Sequence, residues 1–138
     1  MIIRNVSIEL FWNYYFIKCE LVQYFYSTLL KLLTLKFIIT STGDNLKSKF
    51  DLRFGRAGWF CLYNSETKTA EFIENDNKDA KGGAGTKAVE KIAELGVTKV
   101  ISGDFGPKAK SLLERLKIQM VMFAESTKSI QDIIDKVK

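Results

Sequence analysis

Histidine is absent from this 138-residue sequence, which also contains only one proline and two cysteines. The lack of histidine removes the commonest general base of enzymes and the commonest metal ligand of proteins together, so any metal site must use other side chains. Cys19 and Cys61 lie far apart, without a CxxC or another zinc-binding spacing, so the sequence indicates neither a disulfide framework nor a structural zinc site. This cysteine usage favours a reducing, cytoplasmic location.

A long uncharged apolar run is also missing, although eight aromatic residues crowd into residues 11–26. A membrane-spanning helix needs about 20 consecutive apolar residues. Charged side chains interrupt every window of that length, at Glu9, Lys18, Glu20 and Lys31. A transmembrane helix is therefore not expected, and the bulky, partly acidic character of the segment argues against a secretory signal.

Residues 1–35 form an apolar, aromatic extension that differs in kind from the rest of the chain, and the stretch from Leu21 to Leu35 predicts a helix. The extension could dock on a partner or a membrane surface, could cover the following domain, or could be upstream sequence included by a misplaced start. We favour the third interpretation, because a self-sufficient domain begins with a strand at Lys36.

The overall composition is that of a soluble globular protein, with 46% hydrophobic and 27% charged residues. The 21 Lys and Arg residues exceed the 16 Asp and Glu residues, which favours anionic partners over cationic ones. The clustered basic stripe of nucleic-acid-binding proteins is missing, so a nucleic-acid partner is not expected.

Hydrophobic periodicity in residues 36–138 predicts a single α/β domain. The predicted strands cover residues 36–42, 59–64, 69–75, 98–103 and 118–123, and the predicted helices cover residues 86–95, 107–116 and 129–137. The order β-β-β-α-β-α-β-α predicts a mixed five-stranded sheet with helices packed on its faces. Loops that follow parallel strands emerge at one edge of such a sheet, where α/β proteins usually bind ligands.

A glycine-rich loop, KGGAGT, precedes the first of these helices, and we take Gly82, Gly83 and Gly85 as candidate ligand-binding residues. Glycines there let the backbone approach a ligand and turn free N–H groups toward it, while the helix dipole favours negative charge. The loop is not a Walker A motif, so it does not predict ATP hydrolysis. A flexible loop at a helix entry is an equally good interpretation of this pattern alone.

A second loop, SGDFGPK, also runs from a strand into a helix, which strengthens the prediction of a ligand site. Its candidate residues are Gly103, Asp104, Gly106 and Lys108. Asp104 could contact a ligand or cap the following helix, and capping is the commoner use of Asp in that position. Lys108 could face an anion or lie in solvent.

A third loop, DLRFGRA, contains Arg53 and Arg56 three residues apart. The planar guanidinium group suits carboxylate or phosphate, so the two arginines could clamp an anionic ligand. The alternative is a salt bridge from one of them to Asp51 that stiffens the loop.

Residue sets for catalysis are missing from the sequence, since it offers no histidine base and no Ser-His or Cys-His pairing. Cys61 lies inside a predicted strand and is more typical of a core side chain, although it is a weak candidate for a metal ligand. Scattered carboxylates such as Asp76 and Asp79 could in principle bind a divalent cation, but their spacing does not demand it. A non-catalytic binding protein is the expectation.

Together the RFGRA, NKDAKGGAG and GDFGPKA segments resemble the dinitrogenase iron-molybdenum cofactor biosynthesis family, which includes NifX and the C-terminal part of NifB. The resemblance runs from about residue 36 to residue 138. It implies a ribonuclease-H-like three-layer α/β/α fold and an accessory or carrier role for an iron-sulfur-type or iron-molybdenum-type metallocluster or its precursor, without enzymatic turnover. A cluster-assembly protein is the partner that such a role implies.

Family members that hold a cluster often carry histidine beside the FGRA motif or in the glycine-rich loop, where this sequence has Arg53 and Lys81. Backbone N–H groups and arginines could still cradle an anionic cluster without bonding to its iron. We favour that mode of binding. The alternative function is a small-anion or nucleotide-binding regulatory domain that uses the same loops.

Overall fold

The structure, a computed structural model, describes residues 18–29 and 35–137. The chain divides into two units, Met1–Thr34 and Leu35–Lys138. In the first unit residues 18–29 are helical and form helix α1, which has its apolar side chains exposed. The helix predicted from Leu21 is thus confirmed as far as residue 29, and residues 30–34 lie outside the described part of the chain. Neither α1 nor any other described helix is long and apolar enough to cross a membrane.

The second unit contains the predicted sequence of strands and helices. Its strands are β1 (Lys36–Ser41), β2 (Trp59–Asn64), β3 (Thr69–Glu74), β4 (Lys99–Ser102) and β5 (Gln119–Met122), and its helices are α2 (Ala84–Glu94), α3 (Pro107–Arg115) and α4 (Ile130–Val137). Helix α2 begins two residues before the predicted Thr86, because Gly83 takes a left-handed conformation with φ of 71° and opens the helix there.

The five strands form one mixed sheet in the order β3-β2-β1-β4-β5, so the predicted mixed five-stranded sheet is confirmed. Strand β2 runs antiparallel to both β1 and β3, whereas β1, β4 and β5 are parallel. Strands β1, β3 and β4 therefore end at the same edge of the sheet. The loops after these strands carry the three sequence motifs.

Two buried clusters lie on opposite faces of the sheet and make three layers. Helices α2 and α3 cover one face, where Val89 and Leu113 pack with Ile38. Helix α4 covers the other face, where Ile133 packs with Ile39. Because Ile38 and Ile39 are neighbours in β1, their side chains point to opposite faces and anchor both clusters.

A capped N-terminus begins helix α4, as the Ser/Thr-rich sequence before it predicts. The Ser129 hydroxyl accepts a hydrogen bond from the Asp132 backbone N–H at 3.2 Å, and the Asp132 carboxylate accepts from the Ser129 backbone N–H at 3.0 Å. This reciprocal pair is the capping box that begins many helices.

Candidate ligand-binding cleft

A cleft of about 410 Å³ opens at the sheet edge where β1, β3 and β4 end. It is lined by residues 53–56, by residues 83–86 at the start of α2, and by Asp104 with residues 106–109 at the start of α3. The three motifs, far apart in sequence, thus meet around one space. The candidate residues that line it are Arg53, Arg56, Gly83, Gly85, Asp104, Gly106 and Lys108.

Two helices point their N-termini into this cleft, and neither N-terminus is capped. Helices α2 and α3 have no side-chain cap hydrogen bond and no acidic residue in the first turn. The backbone N–H groups of Ala84, Gly85 and Thr86, and those of Lys108 and Ala109, donate no hydrogen bond within the described part of the chain. Such groups carry the positive end of the helix dipole and favour an anion.

Arg53 is paired with Asp51, which was the alternative interpretation of this loop. Its Nε and Nη2 atoms donate to the two carboxylate oxygens of Asp51, each at 3.2 Å. The hydrogen bond and the charge of Asp51 raise the pKa of Arg53 above its usual value. Only 6% of the Asp51 side chain is exposed, against 67% of that of Arg53, so the carboxylate anchors the guanidinium while the guanidinium still faces the cleft.

Arg56 is held by the turn after β3 rather than by a carboxylate. Its Nη1 donates to the backbone oxygen of Lys78 at 3.2 Å. The adjacent Gly55 lies against the start of α2, since a Cβ atom there would be 2.6 Å from the backbone nitrogen of Gly85. The arginine loop therefore abuts the N-terminus of α2, and only glycine permits this approach.

Asp104 and Lys108 lie on the rim of the cleft and are both exposed. Gly106 occupies the N-cap position of α3, so the interpretation of Asp104 as the helix cap is wrong. Asp104 instead pairs with Arg53 through a short parallel bridge of the backbone. Lys108 has no ion-pair partner among residues 18–29 and 35–137.

Two of the candidate glycines do not line the cleft. Gly103 packs against Leu52, because a Cβ atom at Gly103 would lie 2.5 Å from the Leu52 Cδ2 atom and 2.8 Å from its Cα atom. Gly82 is exposed, with open space where a Cβ atom would be. Gly103 thus has a packing role that its motif did not indicate.

Cys61 lies in the core beneath α4 and not at the cleft. Its side chain belongs to the cluster that contains Phe37 and Ile133, and it is 0% exposed. Burial raises the pKa of its thiol to about 12, which disfavours the thiolate form that binds metals. Among residues 18–29 and 35–137, no group of three or more Cys, Asp and Glu side chains could hold a metal ion.

Sequence reasoning did not identify Asn75, a fully buried polar residue behind the cleft. Its side-chain amide donates to the backbone oxygens of Gly55 and Ala57, which belong to the arginine loop. An Asn at the end of a predicted strand is the only signal in the sequence, and it does not reveal contacts with a loop twenty residues away.

The chain matches a family model, a relative from another organism and several solved structures. The family model described as dinitrogenase iron-molybdenum cofactor matches residues 35–138. An uncharacterized protein of Methanocaldococcus jannaschii is 36% identical over 84 residues, which are 59% of this chain and 70% of that protein.

Solved structures of other proteins share the fold. The apo form of the orange protein from Desulfovibrio gigas has a TM-score of 0.70 and 27% identity, covering 75% of this chain and 87% of that one. The NMR structure of a Thermotoga protein, described as a NifB candidate of the DUF35 family, has a TM-score of 0.65 and 30% identity, covering 75% and 86%.

Proposed function

The chain belongs to the dinitrogenase iron-molybdenum cofactor family, and we propose that it is a non-catalytic, cytoplasmic accessory protein that carries an anionic metallocluster or its precursor in the cleft. The proposed ligand-binding residues are the candidates from the three loops that line the cleft, namely Arg53, Arg56, Gly83, Gly85, Asp104, Gly106 and Lys108. A cluster-assembly protein is the proposed partner. The sheet order β3-β2-β1-β4-β5, with helices on both faces, also supports a ribonuclease-H-like assignment.

Convergence of two uncapped helix N-termini on one cleft is the observation that carries this proposal. The chain caps α4 with Ser129 and Asp132, but it leaves α2 and α3 without a cap where they face the cleft. Arg56 and Lys108 add positive charge to the same space, whereas Asp51 offsets the charge of Arg53. A negatively charged ligand would supply the hydrogen-bond acceptors that these N–H groups lack.

The residues at the cleft fit an anionic cluster held by its outer atoms, not one bonded through its metals. Neither imidazole nor thiolate lines the cleft, and its one carboxylate is that of Asp104. Iron in protein-bound clusters is usually ligated by cysteine thiolates, with histidine as a less common substitute. Backbone N–H groups and guanidinium groups instead hydrogen-bond to sulfide or oxide atoms on the surface of the cargo, whether it is of the iron-sulfur or the iron-molybdenum type.

Anaerobic reconstitution with ferrous iron, sulfide and molybdate tests the proposal. The protein should retain metal after gel filtration, measured by metal analysis and visible absorption. Arg56→Ala combined with Lys108→Ala should lose most of it. Cys61→Ala is the control, because it removes a buried thiol far from the proposed contacts and should retain the wild-type amount. Failure of the wild-type protein to retain metal contradicts the carrier function, and loss in Cys61→Ala contradicts binding without direct ligation.

A regulatory domain that binds a small anion or nucleotide is the second candidate function. It is favoured by the donors at the cleft, which are N–H groups and cations that would suit a phosphate equally well. If this function is right, adding phosphate or ATP should shift the amide resonances of Gly83, Gly85 and Lys108. Unchanged spectra exclude it.

A further inference from the structure

Asn75 is a buried polar residue that hydrogen-bonds to the arginine loop beside the cleft. It is 0% exposed, and each of its polar groups has a partner. The side-chain Nδ2 donates to the backbone oxygens of Gly55 at 3.0 Å and Ala57 at 2.8 Å, and the Oδ1 accepts from the Asn77 backbone N–H at 3.2 Å. Its own backbone N–H donates to the oxygen of Gly58 at 3.0 Å.

These bonds hold Arg56 from two directions. Gly55 and Ala57 are its sequence neighbours, so the amide of Asn75 holds the peptide group just before Arg56 and the peptide group just after Ala57. The Asn75 backbone oxygen also accepts from the Lys78 N–H at 3.3 Å, and the oxygen of Lys78 accepts from the Arg56 guanidinium. Asn75 therefore orients both the backbone of Arg56 and the turn that receives its side chain.

Only an amide of this length supplies the bonds that the site requires. Two N–H donors must reach two carbonyl oxygens while one oxygen accepts a third N–H. Aspartate has the same shape but, when ionised, offers no donor and would face two carbonyl oxygens with a negative charge. Serine has one donor and a shorter reach.

We propose that Asn75 is a positioning residue, which holds Arg56 against the N-terminus of α2 so that both contact the same anion. This inference rests on the proposed function, because it assigns Asn75 a role at the same anion-binding cleft. It acts through Arg56, and it has no direct contact with the ligand.

A double-mutant cycle on the full chain tests this inference, with inorganic sulfate as the probe. Affinity is measured from the shifts of the Gly83, Gly85 and Lys108 amide resonances on the folded protein. Asn75→Asp should weaken sulfate binding by about tenfold, which corresponds to the loss of roughly one hydrogen bond. In an Arg56→Ala background the same change should have little further effect, because contacting residues are energetically coupled.

Asn64→Asp is the matched control. Asn64 is the last residue of β2, and within the described part of the chain its side chain bonds only through Oδ1, which accepts from the backbone N–H groups of Glu66 and Thr67. Aspartate retains that acceptor, so sulfate affinity should stay at the wild-type value. If Asn75→Asp does not fold, Asn75→Ser replaces it in the cycle, with a smaller loss of affinity because one donor remains.

The outcomes separate this inference from the function on which it rests. If the wild-type protein does not bind sulfate, or if Arg56→Ala binds it as well as the wild type, the anion-binding cleft itself is overturned. If Arg56→Ala binds weakly but Asn75→Asp binds like the wild type, only the positioning role fails. An equal loss from Asn75→Asp with and without Arg56 also overturns it, since Asn75 would then support the fold in general.

Discussion

Gly106 and Gly82 both have open space where a Cβ atom would be, and neither has a positive φ, but only Gly106 lines the cleft. Alanine should therefore fit the folded protein at either position. We expect Gly106→Ala to weaken sulfate binding several-fold, since the added methyl group would occupy space that the ligand approaches. Gly82→Ala should bind normally. Isothermal titration with sulfate measures both affinities, and urea unfolding checks that the two variants remain folded.

The reverse pattern would assign the ligand to the exposed part of the glycine-rich loop, as the sequence motif alone indicates. Equal affinities in both variants would mean that the ligand does not approach the backbone at Gly106. Either result contradicts the geometry proposed for the cleft.

Gly103 should affect stability rather than binding. Its Cβ position lies within 2.8 Å of the Leu52 backbone, which cannot move aside as a flexible side-chain end can. We expect Gly103→Ala to lower the free energy of unfolding by about 1–3 kcal/mol, the usual cost of overpacking a tight contact. Urea denaturation measures this loss. An unchanged midpoint would show that the two loops separate easily.

Sequence patterns identified the three loops. They did not show which loop residues line the cleft and which ones hold the loops together. Glycines before a helix are visible in the sequence, and so is a pair of arginines three apart. The contact between Gly103 and Leu52 and the hydrogen bonds from Asn75 to the arginine loop depend on which loops the sheet brings together. A single sequence carries no direct signal for such contacts, because each partner alone is an ordinary loop residue.

Helix α4 is capped by two of the chain's own side chains, Ser129 and Asp132. The backbone N–H of Ser129, followed by its hydroxyl, lowers the pKa of Asp132 below its usual value. Because the pKa of Asp132 is lower in the folded state than in the unfolded state, its ionised carboxylate stabilises the fold at pH values above the unfolded pKa of about 4. This stabilisation is lost as the pH falls through the pKa of the folded state. Asp132→Asn should therefore reduce the loss of stability on acidification.

Urea unfolding between about pH 2 and pH 6 measures this effect, since the range spans the carboxyl pKa values. The control is Glu66→Gln, which removes an exposed carboxylate in the β2–β3 turn, far from any helix start. It should show the wild-type dependence on pH. If Asp132→Asn and the wild type lose stability in parallel, the capping box does not contribute.

Helix boundaries were predictable where a side chain caps the helix and less so where glycine does. The Ser/Thr-rich sequence before α4 located its start, because hydroxyl and carboxylate side chains signal a cap. Helix α2 began earlier than predicted, since a left-handed Gly83 can open a helix without leaving a side-chain signature. The uncapped starts of α2 and α3 coincide with the cleft, as the proposed binding of an anion there requires.

The β-β-β-α-β-α-β-α order was predictable because each element has a strong hydrophobic period and clear turn residues. The order of the strands within the sheet was harder to predict from the sequence. Strand β1 lies between β2 and β4, although a hairpin and a helix separate β1 from β4 in sequence. That central position explains why Ile38 and Ile39 are both 0% exposed. It also brings three distant loops to one edge, so the cleft is a product of the topology.

Among the residues that the structure describes, those of the two buried clusters all lie between Phe37 and Ile134, which bears on the apolar extension at residues 1–35. A chain that begins at Leu35 keeps both clusters and the backbone oxygen that accepts a hydrogen bond from Ser65. It should unfold at the same temperature as the full chain.

In the full chain, Tyr24 and Phe25 of α1 are exposed by 72% and 68%, so the full chain should self-associate as its concentration rises. Differential scanning calorimetry and sedimentation velocity on both chains measure these effects. A lower unfolding temperature for the shorter chain would show that the extension supports the fold, and monomeric full-length protein at every concentration would show that its apolar face is covered.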